Sequence, residues 1–245
     1  MWQRAVVLGW GLWAATLAFA APPQFPALSG RVVDQANILP TPVQQQLTQR
    51  LAQLEQANGA QVVVVTLASL EGYDIADYGY QLGRQWGIGE KGKNNGALLI
   101  VAPQEHAVRI EVGYGLEGVL TDAYTRAIIE THIVPAFKQG DFPRGILAGV
   151  EALVQAVSNP EEFARAHPKA AAKEQGRGSL LLVFLIVVFI ILRIFSGELT
   201  GRGGGGRGGW GGGFGGGGWG GGSSGGGGFS GGGGSFGGGG ASGRW

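Results

Sequence analysis

Five side chains in loops or at element ends have the types and placement for site chemistry: Asp34, Asn94, Asn95, Glu117 and Asp122. Carboxylate and amide oxygens are hard ligands, suited to Ca²⁺ or Mg²⁺. Glu117 belongs to Gly113-Tyr114-Gly115-Leu116-Glu117-Gly118, and Asp122 follows after Val119-Leu120-Thr121. Three glycines in six residues mean that the backbone turns sharply there or lets something approach closely. A plainer reading stands beside this one. Asp122 sits favourably in the first turn of a helix, and Asn94-Asn95-Gly96 makes an ordinary turn. The residues form one site only if their loops share one edge of a sheet.

Other chemistries find no support. The chain has no cysteine, which excludes disulfides, thiolate zinc sites and cysteine nucleophiles. The histidines, His106, His132 and His167, are scattered, with no pair at ligand spacing, and no G-x-S-x-G is present. Gly113-x-Gly115-x-x-Gly118 matches a dinucleotide fingerprint, but it follows the second arm of a hairpin instead of opening a parallel βαβ unit. Gly87 to Lys93 spells a phosphate loop, yet Asn94 replaces the magnesium-binding hydroxyl and the loop runs from helix to strand. A formal net charge of +1 gives no field for nucleic acid.

The elements that position these residues follow from periodicity. Val32 and Val33 lead to Asp34 in a short strand. Thr41-Pro42 reads as a helix start, with Val43, Leu47, Leu51 and Leu54 at helical spacing and Asn58-Gly59 as the stop. Gln61 to Thr66 carries four consecutive valines, a strand covered on both faces. Asp74 caps a second helix with Ile75, Tyr78, Leu82 and Trp86 on one side. Ala97 to Ala102 is wholly apolar, and Val108, Ile110 and Val112 alternate with charged residues, so the two pair as a hairpin and the sheet is mixed. Thr121 and Asp141 cap two further helices; Pro135 interrupts the first and Asn159-Pro160 ends the second. This order predicts an α/β fold, a three-layer α/β/α sandwich with a mixed sheet, over residues 30–158.

Both flanks point to export and a membrane. Residues 1–20 form a secretory signal peptide, with Arg4, an apolar run and Ala18-Phe19-Ala20; an uncleaved anchor is the alternative, and either exports the domain. Residues 21–29 are an extended linker and 159–178 a second linker. Leu180 to Leu192 is entirely apolar, and residues 179–196 are expected to span the membrane, roughly 27 Å of helix. The expectation is a single-pass protein of the cytoplasmic (inner) membrane with the domain on the periplasmic side. Arg193, Arg202 and Arg207 then put the tail in the cytoplasm. That tail, residues 197–245, is glycine-rich with spaced aromatics and is expected to be disordered, with self-association a possible role.

Three stretches resemble one family. Val32-Val33-Asp34-Gln35-Ala36-Asn37-Ile38-Leu39 looks like the opening motif of the TPM domain. Trp86-Gly87-Ile88-Gly89 with Lys93-Asn94-Asn95-Gly96 resembles its central loop, and Ile110 to Asp122 resembles its signature. The whole layout is similar to bacterial YgcG-type proteins. The resemblance implies an α/β/α sandwich and Ca²⁺ or Mg²⁺ binding. It also implies kinship with a thylakoid-lumen protein of photosystem II repair that has acid phosphatase activity. Asp34, Asn95, Glu117 and Asp122 match motif positions and are the expected metal residues. The functional expectation is a cation-binding accessory module for assembly, maintenance or quality control of membrane proteins, with a membrane protein or complex as partner. A metal-dependent, acid phosphatase-like hydrolase is the alternative.

Overall fold

The computed structural model describes residues 23–168, 170, 188 and 229–245. The expected signal peptide and all but one residue of the expected span lie outside them. Among the described residues no helix is long and apolar enough to cross a membrane.

A five-stranded mixed sheet carries the fold, in the order β1 (Val32–Asp34), β2 (Gln61–Thr66), β3 (Gly96–Ala102), β4 (Ala107–Gly113), β5 (Phe236–Arg244). The first three strands are parallel; β4 and β5 each run antiparallel to their neighbour. Every residue of β2 and β3 is buried, because both faces are covered. Val62, Val64, Leu99 and Val101 point into one apolar cluster, and Val63, Val65, Leu98 and Ile100 into another. Helix α1 (Thr41–Asn58) adds Leu47, Leu51 and Leu54 to the first cluster. Helix α2 (Ile75–Trp86) adds Ile75, Tyr78, Leu82 and Trp86 to the second. Each such leucine contributes about 1.5–3 kcal/mol by leaving water. The crossovers β1-α1-β2 and β2-α2-β3 step the same way across the sheet but use opposite faces. They therefore differ in hand, and one runs against the usual right-handed preference.

The remaining helices cover the α1 face. After a 3₁₀ turn (Tyr114–Leu116), Thr121 caps α3 (Asp122–Ile128), its hydroxyl accepting from the Tyr124 N–H. The helix does not stop at Pro135. It widens into a π turn (Ile129–Ile133) and continues as α4 (Val134–Phe137) with Pro135 in its first turn, where a missing N–H costs least. Asp141 caps α5 (Phe142–Ser158) through the Arg144 N–H. A sixth helix, α6 (Pro160–Ala166), occupies the start of what composition suggests is a linker; Pro160 opens it, and buried Phe163 fastens it edge-on to Tyr124. Helix α1 also begins one residue early, with Pro40 at the cap.

The largest departure from expectation is the tail. Residues 229–245 are not disordered: they include β5, which completes the sheet beside β4. Composition argues for disorder because glycine has most entropy to lose and nothing to bury. Here the strand finds an open edge, and Phe236 and Ala241 are 2% and 3% exposed, one in each core. A ladder of backbone bonds and two anchored side chains offset what the glycines lose.

Candidate functional site

The register fixes where each candidate residue stands. Asp34 pairs with Thr66 at the carboxyl ends of the parallel strands. Gly96 pairs with Gln61 at their amino ends, and β4 finishes there, Val112 opposite Ala97. Asn95, Glu117 and Asp122 thus gather near one end of the sheet, while Asp34 lies at the other end, on the far edge strand. The expectation that all four line a single pocket is corrected by this geometry. Two loops at opposite ends of a sheet cannot share a rim.

Asp34 is fully engaged as a fastening. One carboxylate oxygen accepts from the Ile38 N–H at 3.2 Å and from the Thr66 hydroxyl; the other accepts from the Leu39 N–H at 3.0 Å and the Gln44 amide at 3.2 Å. It ties the β1–α1 turn to the end of β2. Asn95 is similarly spent. Its carbonyl oxygen accepts from the Glu90 N–H at 2.8 Å, and its amide donates to the Gly59 carbonyl at 2.9 Å.

The glycines of the 113–118 stretch answer to packing. A Cβ on Gly115 would stand 1.9 Å from the Lys93 carbonyl, and one on Gly113 would stand 2.5 Å from the Asn94 carbonyl. Asn94, held at φ 52°, accepts the Gly115 N–H through its own carbonyl at 3.0 Å. The stretch therefore lies backbone to backbone on the 93–95 loop.

That close fit presents Glu117 and Asp122 to one open cleft of about 430 Å³, completed by Leu120, Thr121 and Gly237 to Gly239. Asp122 accepts the Gly240 N–H at 2.8 Å, and Glu117 lies against Gly239. Neighbouring β4 holds a charged pair that sequence reading passes over: Arg109 and Glu111, 6% and 0% exposed and ion-paired to each other. The Glu111 Oε1 is buried without a partner. Burial pushes its carboxyl up to about 7; Arg109 pulls the other way, and the negative charges of Asp122 and Glu117 add to the rise. The available signal was two charged residues, Arg109 and Glu111, two apart in a strand flanked by apolar ones.

Elsewhere the chemistry is thin. Lys93 pairs with Glu90 at 2.8 Å. A larger groove of about 630 Å³ lies between α1 and α5, but Arg50 and Glu151 within it are already matched, the guanidinium clasping the carboxylate at 2.8 and 2.9 Å. The fold does bring two scattered histidines together: His132 and His167 have ring centroids 6.0 Å apart, and burial, then the second imidazole, holds His132 below the usual range. Among the described residues no three His, Cys, Asp or Glu side chains converge as a metal-holding group.

The TPM domain family matches residues 32–156, half of the chain. The chain belongs to the TPM domain family. A TPM-sized match also appears among solved structures. The solution structure of the N-terminal domain of a protein from P. gingivalis is 33% identical, covers 55% of this chain and 86% of its own, and superposes with a TM-score of 0.51. The N-terminal domain of a Corynebacterium glutamicum protein is 22% identical, covering 58% and 87%, with a TM-score of 0.44. The BA42 protein of Bizionia argentinensis is 20% identical, covering 53% and 83%, also at 0.44. No curated protein matches the sequence. The TPM match ends before β5, so the strand that walls the cleft lies outside the family's own stretch.

Proposed function

We propose that this is an exported, membrane-associated TPM-domain protein that binds a divalent cation, Ca²⁺ or Mg²⁺, at the Glu117–Asp122 cleft. In this reading it is an accessory module in assembly, maintenance or quality control of membrane proteins. One observation carries the cation: Glu117 and Asp122 line one open cleft, and their charge reaches the buried Glu111 carboxyl. Crowded carboxylates repel one another, and a bound cation relieves that repulsion. Asp34 and Asn95 do not enter as ligands, because their oxygens serve the fold.

Export and membrane attachment rest on the apolar stretches at residues 5–19 and 180–192. The β4–β5 pairing argues against the cytoplasmic side to which the tail's arginines point. A single crossing between residues 168 and 229 would set β5 across the bilayer from β4, its partner. The pairing favours an anchor that leaves the domain and the last strand in one compartment.

A hydrolase reading has one observation in its favour. A carboxyl held near 7 is in the range of a general acid, and a cation in the cleft would polarise a phosphoryl oxygen. Glu111 is closed off from solvent, however, and Lys93 is matched to Glu90. The test uses the full chain in mild detergent, with amide spectra recorded as Ca²⁺ and then Mg²⁺ are added, and phosphomonoester hydrolysis assayed on the same sample. Shifts confined to residues 115–124 and 237–241, abolished by Glu117→Gln with Asp122→Asn and unaccompanied by turnover, support the binding module. Turnover abolished by the same pair of changes supports the hydrolase. Spectra unmoved at millimolar metal sink both.

A further inference from the structure

Strand β5 is joined to the sheet in an unusual way. Antiparallel neighbours are commonly linked by about 2–5 residues, whereas α6 ends at Ala166 and β5 begins only at Phe236. Connectivity therefore does not dictate the seat; complementarity does. Three kinds of contact read the tail. The first is steric. A Cβ would stand 2.0 Å from the Trp86 carbonyl at Gly231, 2.2 Å from the Ile88 carbonyl at Gly234 and 1.9 Å from the Ile110 carbonyl at Gly240. At Gly237 it would meet the Tyr114 ring and at Gly243 the Ile129 side chain, each at 2.4 Å. The backbone contacts at Gly231, Gly234 and Gly240 leave no room for a side chain, whereas at Gly237 and Gly243 it is a neighbouring side chain that would have to move.

The second is polar. Beyond its ion pair with Glu111, the Arg109 guanidinium donates to the Ser242 hydroxyl and the Gly238 carbonyl, both at 3.0 Å. The carboxylate of Asp122 takes the Gly240 N–H, and the Asn94 side chain takes the Ser235 N–H at 3.0 Å. The third is apolar. Phe236 lies over Gly83, Ala241 enters the other core, and Trp245 packs edge-on against Phe137 at a centroid distance of 4.6 Å. Side-chain anchors along a paired backbone, here one in the α2-side core and two on the other face, are how an extended peptide is recognised at a sheet edge.

We propose that the β4 edge is a strand-binding site whose ligand is the glycine-patterned segment 231–245, and that a second copy of this chain supplies that segment in trans. The contacts that read β5 come from residues of the domain. None of them depends on the chain linking the two, and a second copy carries the same ligand. Without the strand, β4 is an open edge that itself carries Arg109 and Glu111, a template for pairing. The site is specific, because it rejects strands that carry a Cβ at Gly231, Gly234 or Gly240. This inference holds whether or not a cation binds.

The absence of cysteine makes the test clean, since introduced thiols have no competitors. Ala107 and Arg244 are direct partners across the β4–β5 ladder. Full chains bearing Ala107→Cys are mixed with full chains bearing Arg244→Cys in mild detergent and oxidised gently. A disulfide-linked dimer is expected, diminished by excess synthetic peptide of residues 229–245. Adding Gly240→Val to the Arg244→Cys chain should reduce the dimer about tenfold or more. The amide spectrum of the domain residues keeps its dispersion in that variant, which separates loss of docking from loss of fold. A double-cysteine chain that closes only on itself, with no dimer in the mixture, overturns the exchange. A dimer formed equally well with Gly240→Val overturns the site, because random collision would then account for it.

Discussion

The two ends of the sheet hold acidic residues in opposite states. Asp34, at the carboxyl ends of the parallel strands, has both oxygens filled by two backbone N–H groups, a hydroxyl and an amide. At the other end, Asp122 accepts one strand N–H and Glu117 faces a cleft, while Glu111 behind them keeps an oxygen without a partner. A saturated carboxylate stabilises its own loop and has nothing left for a ligand. An undersatisfied cluster costs the fold something and keeps its capacity to bind. Motif membership does not distinguish the two, since Asp34 and Asp122 both sit in stretches that resemble the family.

The comparison breaks most severely at the backbone contact that builds the open end. Gly115→Val places a side chain into the Lys93 carbonyl and should destabilise the protein by about 4 kcal/mol or more. Gly118, three residues on, has open space where a methyl would stand, so Gly118→Ala should stay within about 0.5 kcal/mol. Urea unfolding of the two variants decides whether the stretch is conformational packing or a ligand cradle. Equal effects would remove the distinction.

Next in size is the saturated end. Asp34→Ala strands two backbone N–H groups at the β1–α1 turn and should cost about 3 kcal/mol, with a lowered Tm and no change in any response to Ca²⁺ or Mg²⁺. A metal response lost along with Asp34, in a variant that still folds, would join the two ends functionally despite their separation.

The buried carboxyl gives a pH signature of the open end. Glu111 is raised from an ordinary 4.5 to about 7, first by burial. The folded state thus holds a proton that the unfolded state has already released. Stability from this group is fullest below the unfolded value and falls as pH climbs through the window from 4.5 to about 7. The loss is at most about 3 kcal/mol. Glu111→Gln carries no titrating carboxyl, so its stability should fall less across that window, a difference that melts at pH 5 and pH 7.5 would show. Parallel curves would mean that Arg109 holds Glu111 ionised throughout.

Much of this was legible in the sequence, and the exceptions share a cause. The valine run of β2, the apolar β3, the Asp74 and Thr121 caps and the hairpin are local signals, and the structure repeats them. The 93–95 loop lies against the Glu117 stretch at one end of the sheet, but Asn95 turns its side chain to Glu90 and Gly59 and does not line the cleft of Glu117 and Asp122. What was not legible depended on a partner distant in sequence. Gly231 to Gly243 read as disorder because the edge that orders them lies over a hundred residues away, as the Gly240–Asp122 bond spans 118 positions. Phe163 looked like a linker residue until Tyr124 met it. Asp34 looked like a ligand because nothing in its own stretch announces Thr66 and Gln44.

The smallest effect sharpens the open end the most. Glu117 is half-buried and Asp122 exposed, so neither Glu117→Gln nor Asp122→Asn should move stability by more than about 1 kcal/mol. Their charges nevertheless act on Glu111, that of Asp122 more than that of Glu117. Removing a like charge favours the ionised form, so each change should lower the titration midpoint of Glu111, and Asp122→Asn should lower it further. Carbon-detected NMR of the Glu111 carboxyl reads this directly, without metal and without turnover. A cation held in the cleft would act in the same direction as those substitutions, because it too cancels negative charge beside Glu111. A midpoint that falls in both variants but ignores added Ca²⁺ and Mg²⁺ would leave the acidic cleft electrostatically real and empty of any cation role.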